Sequence, residues 1–207
     1  MGGKRRTSDH FSKRARREKY PARSIYKLAE IDKKVQLFKT GSFVLDLGAA
    51  PGSWTMFAAK QVGPSGKVIA VDRAPLTIGL PANAVTIEGD ALAILPEDLL
   101  ALIPRDGFDA VISDMAPRTS GHRFTDQSRS FNLFCRALEL ATLLCKPGGH
   151  FVGKIFQGED FDAARQKVSD SFLKTKIIRP TSVRSESYEV YLVGLSRRRI
   201  SSHSTKG

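Results

Sequence analysis

Residues 43–47 (FVLDL) form a short apolar run that stops at a glycine, and runs of the same kind recur along the chain. KVIAVD (67–72), AVTIEGD (84–90), FDAVISD (108–114) and HFVGKIF (150–156) follow in turn. Apolar runs this short and continuous read as strands buried on both faces. Between them lie stretches with helical spacing: 53–62, 96–103 with a start as early as Ala91, 126–145 and 159–172. A strand that returns parallel to its predecessor needs a crossover of about a dozen residues, usually a helix. The alternation therefore predicts an α/β fold, a doubly wound and mostly parallel sheet with helices on both faces. The last two extended stretches, 176–179 and YEVYLVGL (188–195), are joined by too short a link for a crossover, so the seventh, C-terminal strand is expected to be antiparallel.

A helix is also expected ahead of the sheet. Ile25, Leu28, Ile31 and Val35 recur at helical spacing after Pro21, which predicts an amphipathic helix over 22–37. With 207 residues the chain suits one packed domain, expected over 21–200, with a tail at 201–207.

The turn after the first strand reads DLGAAPGSW (46–54). Ligands of open parallel sheets bind at the carboxyl ends of the strands, and small residues there let a ligand approach the backbone. A dinucleotide fingerprint spaces its glycines G-x-G-x-x-G. Here Asp46 precedes Gly48, and the next glycine is Gly52, giving D-x-G-x-x-x-G. A carboxylate is a poor neighbour for a pyrophosphate and a good one for a cation. S-adenosylmethionine, with a sulfonium and an ammonium and no phosphate, fits this pattern. Asp72 ends the second strand 20 residues after Gly52, where a carboxylate reaches both ribose hydroxyls. Asp90, after the third strand, is placed to accept from the adenine amino group. Trp54 either walls the pocket or packs as a core residue of the first crossover helix.

Charge separates the ends from the body. Residues 1–40 hold 13 Lys and Arg against 4 Asp and Glu, residues 196–207 carry +4, and residues 41–195 carry −1. Lys13, Arg14, Arg16, Arg17 and Lys19 concentrate before the first helix, with Arg23 at its start. Residues 1–20 are polar enough to read as a flexible arm. Such an arm suits a polyanion, because basic side chains on phosphates release condensed counterions. An anionic membrane is the weaker rival, since residues 1–20 lack an apolar face. No apolar run approaches the roughly 18 residues of a membrane span, and no apolar stretch near residue 1 suits a signal peptide. A cytoplasmic monomer is the expectation. Cys135, Cys145 and the four scattered histidines lack metal-ligand spacing, so no metal is expected.

A second set of polar residues sits at strand ends. SDMAP (113–117) puts Asp114 at the end of the fourth strand, and GKIF (153–156) puts Lys154 inside the fifth. A lysine within a buried strand is costly unless paired, and Asp114 is its natural partner. The pair is either a structural ion pair or a reactive one.

The stretches RSIYKLAEID (23–32), LDLGAAPGSW (45–54), ISDMAP (112–117), GKIFQGED (153–160) and SYEVYLVG (187–194) resemble the FtsJ/RrmJ family of ribosomal RNA 2′-O-methyltransferases. The resemblance spans residues 8–197 and implies a Rossmann-like class I methyltransferase fold. It also implies a Lys-Asp-Lys-Glu tetrad around the reacting ribose, matched here by Lys27, Asp114, Lys154 and Glu189. Glu189, in its E-V-Y context, is chosen over the nearby Glu186. Gly52, Trp54, Asp72, Asp90 and Asp114 match the family's cofactor positions. The implied partner is the large ribosomal subunit, and the implied target is the uridine of the peptidyl-transferase A-loop. A tRNA anticodon-loop enzyme of the same family and a non-catalytic assembly factor are the alternatives. One departure is visible: the family usually reads P-G-G-W where this chain has Pro51-Gly52-Ser53-Trp54. Serine is expected to start the helix there and cap it, with strain only if its φ is positive. Tyr191 is expected either to stack on a base or ribose, or to pack in the core.

Overall fold

The computed structural model describes residues 4–76, 78–104 and 106–199. Two helices, α1 (Lys4–Arg17) and α2 (Ile25–Val35), precede β1 (Phe43–Leu47) and α3 (Ser53–Val62). Next come β2 (Lys67–Asp72), β3 (Ala84–Glu88), α4 (Pro96–Leu100), β4 (Phe108–Ser113) and α5 (Arg123–Leu144). The chain ends with β5 (Cys145–Phe156), α6 (Phe161–Ser171), β6 (Phe172–Ile178) and β7 (Glu189–Arg197). The expected tail at 201–207 lies outside the described residues.

The strands form one sheet in the order β3-β2-β1-β4-β5-β7-β6. Pairing is parallel from β3 to β5, while β7 runs antiparallel to both of its neighbours. The mostly parallel, doubly wound sheet read from the sequence is therefore the one observed. Alternate residues of each buried strand serve opposite layers. Leu45 and Leu47 face Phe134, Leu138 and Ala141 of α5, with Ala164 and Val168 of α6 in the same cluster. Val44 faces the other way, into Leu28 and Ile31 of α2 and Trp54, Ala58 and Val62 of α3.

The basic N-terminal stretch differs from expectation. Residues 4–17 are helical, and Phe11, Ala15 and Tyr20 pack against the start of α2. Phe11 and Ala15, one helical turn apart, join Tyr20 in a small cluster with Ile25 and Tyr26. Arg14 lies 4.6 Å from the Tyr26 ring centroid and 2.7 Å from Glu18, whose second oxygen accepts from the Tyr26 hydroxyl at 3.0 Å. A few apolar positions on one face suffice where a neighbouring helix covers them. At the other end, Arg197 belongs to β7 and donates to the Thr142 carbonyl at 2.7 Å, so part of the C-terminal charge is structural.

Candidate active site

A cavity of about 890 Å³ opens at the carboxyl ends of β1, β2, β3 and β4, with Arg129, Asn132 and Leu133 of α5 along one side. Its position follows from topology, because strand order reverses between β1 and β4 and the connecting helices leave on opposite faces. Gly48, Ala50, Asp72, Asp90 and Asp114 all line it. Gly48 has φ +76°, and a side chain there would meet Met115 Cγ at 2.6 Å, so only glycine leaves this wall open.

The acids are held in different ways. Asp72 accepts from Ala50 N–H at 2.9 Å and Ala74 N–H at 2.8 Å, tying the end of β2 to the glycine turn. Asp90 accepts from Leu92 N–H at 2.9 Å, with the Arg73 Nε 3.8 Å away. Asp114 is the most constrained of the three. Its Oδ1 accepts from Lys154 Nζ at 2.9 Å and from the Tyr191 hydroxyl at 2.7 Å, and its backbone carbonyl also accepts from Lys154. Burial pushes the Asp114 carboxyl up, but the charges of Lys154 and Lys27 and these hydrogen bonds outweigh it and hold the group below its usual range. Burial pushes the Tyr191 hydroxyl well above its ordinary value, with the Asp114 charge adding to the effect, so it stays a donor.

The antiparallel β7 is what completes this cluster. Its first residues lie beside the carboxyl end of β5, with Tyr191 opposite Lys154 and Glu189 opposite Phe156. Glu189 and Tyr191, two apart on one strand, project on the same face. Glu189 Oε1 lies 2.5 Å from Lys27 Nζ on α2, and Lys27 Nζ lies 6.0 Å from the Tyr191 ring centroid. A second cavity of about 350 Å³ runs beside this pair, lined by Arg23, Ser24, Lys27, Arg184 and Glu189 among others. The structure thus brings Lys27, Asp114, Lys154 and Glu189 to one place, with Asp114 facing the larger cavity and Lys27 and Glu189 the smaller.

Three expected cofactor residues are placed elsewhere. Asp46 is fully buried and absent from the cavity lining, accepting from Thr55 Oγ1 at 2.7 Å while its Oδ1 has no hydrogen-bond partner among the described residues. As the fourth residue of β1 its side chain points into the layer below α3, not out of the strand end. Burial, with the Asp114 and Asp72 charges adding, pushes its carboxyl up to about 7. Trp54 is 2% exposed and packs 5.7 Å from Tyr191, so its ring is core, not a pocket wall. Gly52 has φ +104° and faces Ile78, not the cavity. That positive φ belongs to Gly52, leaving Ser53 unstrained as the first residue of α3. Its hydroxyl does not cap the helix but bonds the backbone of Ala22.

Some site residues went unread in the sequence. Arg118, Arg129 and Asn132 line the larger cavity, and Arg184 the smaller. Only Arg118 had a local signal, its position directly after SDMAP. Among the described residues no group of three or more His, Cys, Asp or Glu is placed to hold a metal, and no helix is long and apolar enough to cross a membrane.

A doubly wound sheet with an antiparallel β7, acids at successive strand ends and a buried Lys–Asp pair beside the cavity defines a Rossmann-like methyltransferase. The model of the FtsJ-like methyltransferases matches residues 20–197, and the chain belongs to that family. It is 48% identical over 190 residues to the ribosomal RNA large subunit methyltransferase E of Sorangium cellulosum, covering 92% of this chain and 88% of the relative. It is 47% identical over 194 residues to the protein of the same name from Desulfosudis oleivorans, covering 94% and 93%. Among solved structures, a ribosomal RNA methyltransferase from Plasmodium falciparum superposes with TM-score 0.76 at 22% identity, over 86% of this chain and 98% of that one. The fibrillarin of Aeropyrum pernix, solved with S-adenosyl-L-methionine bound, superposes with TM-score 0.58 at 19% identity, over 76% and 67%.

Proposed function

We propose that the protein methylates the 2′-hydroxyl of a ribose in large-subunit ribosomal RNA, using S-adenosylmethionine. The target we infer is the A-loop uridine in the assembled subunit. The observation that carries the chemistry is Lys154, buried within a strand and joined to Asp114, which lines the larger cavity. The names of the two relatives support the ribosomal substrate. The site is complete in one chain, which supports action as a monomer, and a cytoplasmic location follows from the ribosomal substrate.

The residues present fit the cofactor. The open wall at Gly48, the carboxylates of Asp72 and Asp90 and the anionic Asp114 offer hydroxyl, amine and cation partners without a phosphate clamp at the turn. Asp72 would hold the ribose hydroxyls, Asp90 the adenine amino group and Asp114 the cationic end. When bound, the cofactor supplies an electrophilic methyl group for in-line displacement, a reaction governed chiefly by alignment.

The chain's own groups supply that alignment. An ammonium has three N–H directions, and Asp114 takes two of those on Lys154 through its carboxylate and its carbonyl. The third is left for the acceptor hydroxyl. As an ammonium Lys154 steers the oxygen lone pair, and as a free amine it takes the hydroxyl proton. The Tyr191 hydroxyl fixes the shared Asp114 oxygen from the other side. Lys27 and Glu189 hold the acceptor nucleotide from the smaller cavity. Lys13, Arg14, Arg16, Arg17 and Lys19 are exposed on or just beyond α1, and with Arg23 they bind RNA phosphates.

The test is incubation with labelled S-adenosylmethionine and, in parallel, large ribosomal subunits, naked ribosomal RNA and tRNA. Label on large subunits above the other two is the expected result. Label on tRNA alone moves the target, and cofactor binding without transfer to any RNA points to an assembly factor.

A further inference from the structure

At position 53, where the family resemblance implies glycine, the chain has a serine whose hydroxyl reaches a partner 31 residues away. Ser53 Oγ accepts from Ala22 N–H at 2.8 Å and donates to the Ala22 carbonyl at 3.1 Å. One residue on, Trp54 Nε1–H donates to the Ser24 carbonyl at 2.9 Å. The same carbonyl receives Lys27 N–H at 3.0 Å, in the turn that opens α2. Three hydrogen bonds therefore join the first turn of α3 to the two residues flanking Arg23. Ser53 and Trp54 are 1% and 2% exposed, so water does not compete for them.

The two ends of this clasp lead to different cavities. Upstream, α3 is continuous with the glycine turn, whose Ala50 lines the larger cavity and is bonded to Asp72. Downstream, Ala22, Arg23, Ser24 and Lys27 all line the smaller one. Ser53 itself lines neither, so it joins the sites without belonging to them.

We propose that Ser53, with Trp54, is a positioning residue that couples occupation of the larger cavity to the placement of Lys27 and Arg23. Settling the 48–52 turn fixes the first turn of α3, and the clasp carries that order into the segment that meets RNA. The proposal rests on the reading of the larger cavity as the cofactor site. Coupling of this kind is reciprocal: cofactor and RNA each tighten the other by the same factor.

The test uses the full chain, S-adenosylhomocysteine as probe and large-subunit RNA, with RNA affinity measured with and without saturating probe. In the wild type the probe is expected to tighten RNA binding about fivefold or more. Ser53→Ala reduces that factor below about twofold and lowers kcat, while its affinity for the probe alone stays at the wild-type level. Trp54→Phe, which removes the indole N–H and shrinks the ring, moves the coupling the same way and, shown folded by circular dichroism, carries the test should Ser53→Ala fail to fold. A wild type that binds probe and RNA independently overturns the proposal. So does a Ser53→Ala variant that keeps the coupling, or one that loses probe affinity by the same factor. A wild type that binds no probe overturns the cofactor reading instead, so the two failures are distinct.

Discussion

The parallel half of the sheet, β3-β2-β1-β4, and the antiparallel half, β5-β7-β6, contribute to one site by different means. The parallel half acts through its strand ends. Gly48, Ala50 and Asp90 lie on turns at the cavity wall and Asp72 ends β2 beside them, with carboxylates held by backbone N–H groups and still open to a ligand. The antiparallel half acts through side chains within strands. Lys154, Tyr191 and Glu189 project from β5 and β7; Lys154 and Glu189 are paired with Asp114 and Lys27, and the Tyr191 hydroxyl is bonded to Asp114, before any substrate arrives. Open turns suit a ligand that comes and goes, and a prepaired buried cluster suits groups that must not move while a bond forms.

This division is broken most severely at Lys154. Lys154→Ala is expected to lower turnover by about 10²–10⁴-fold, with S-adenosylhomocysteine affinity within about threefold of wild type. A matching loss of affinity, read by calorimetry, would dissolve the distinction between the halves. The converse change is Asp72→Asn, which keeps an acceptor for Ala50 N–H and removes the charge. It is expected to weaken the same ligand about 10–100-fold, the loss of a charge-assisted hydrogen-bond pair. The residual turnover at saturating cofactor should stay within a few-fold of wild type.

A third change leaves both halves intact. Replacing Lys13, Arg16 and Arg17 by Gln is expected to weaken RNA binding and to flatten its salt dependence by about 0.7–0.9 in log–log slope per lost phosphate contact. An unchanged slope would mean that this face of α1 does not meet RNA. A fourth change, at Asp46, bears on stability and not on activity. Its carboxyl is pushed up from 3.8 to about 7, so across that interval the folded chain keeps a proton the unfolded chain has lost. Stability therefore falls as pH rises through the interval, by at most about 4 kcal/mol. Asp46→Asn removes that decline, so its melting temperature at pH 8 should exceed the wild type's. A parallel pH profile for the two proteins would contradict it.

The parallel half was the more legible of the two in the sequence. Its strands are apolar runs ending in glycine or aspartate, so sheet direction, cavity position and the lining acids Asp72, Asp90 and Asp114 follow from order and spacing. For Asp46, Gly52 and Trp54 the motif gives chain position and not the face to which a side chain turns, and the structure places all three outside the lining of the larger cavity. The antiparallel half was legible in part. Lys154 stood out as a charge in a buried strand, but its meeting with Tyr191 on Asp114 depends on the β5–β7 register, which local pattern does not encode. The helicity of α1 was missed for a related reason, since Phe11 and Ala15 are too few to suggest burial until α2 lies against them.

The measurement that bears most directly on the joint action of the two halves is the position of the transferred methyl group. Large subunits labelled with S-adenosylmethionine by the wild type are digested with alkali, which cleaves only next to a free 2′-hydroxyl. The account predicts label in an alkali-resistant dinucleotide from large-subunit RNA, and none with Lys154→Ala. Label released in mononucleotides, or undiminished transfer by Lys154→Ala, would contradict it.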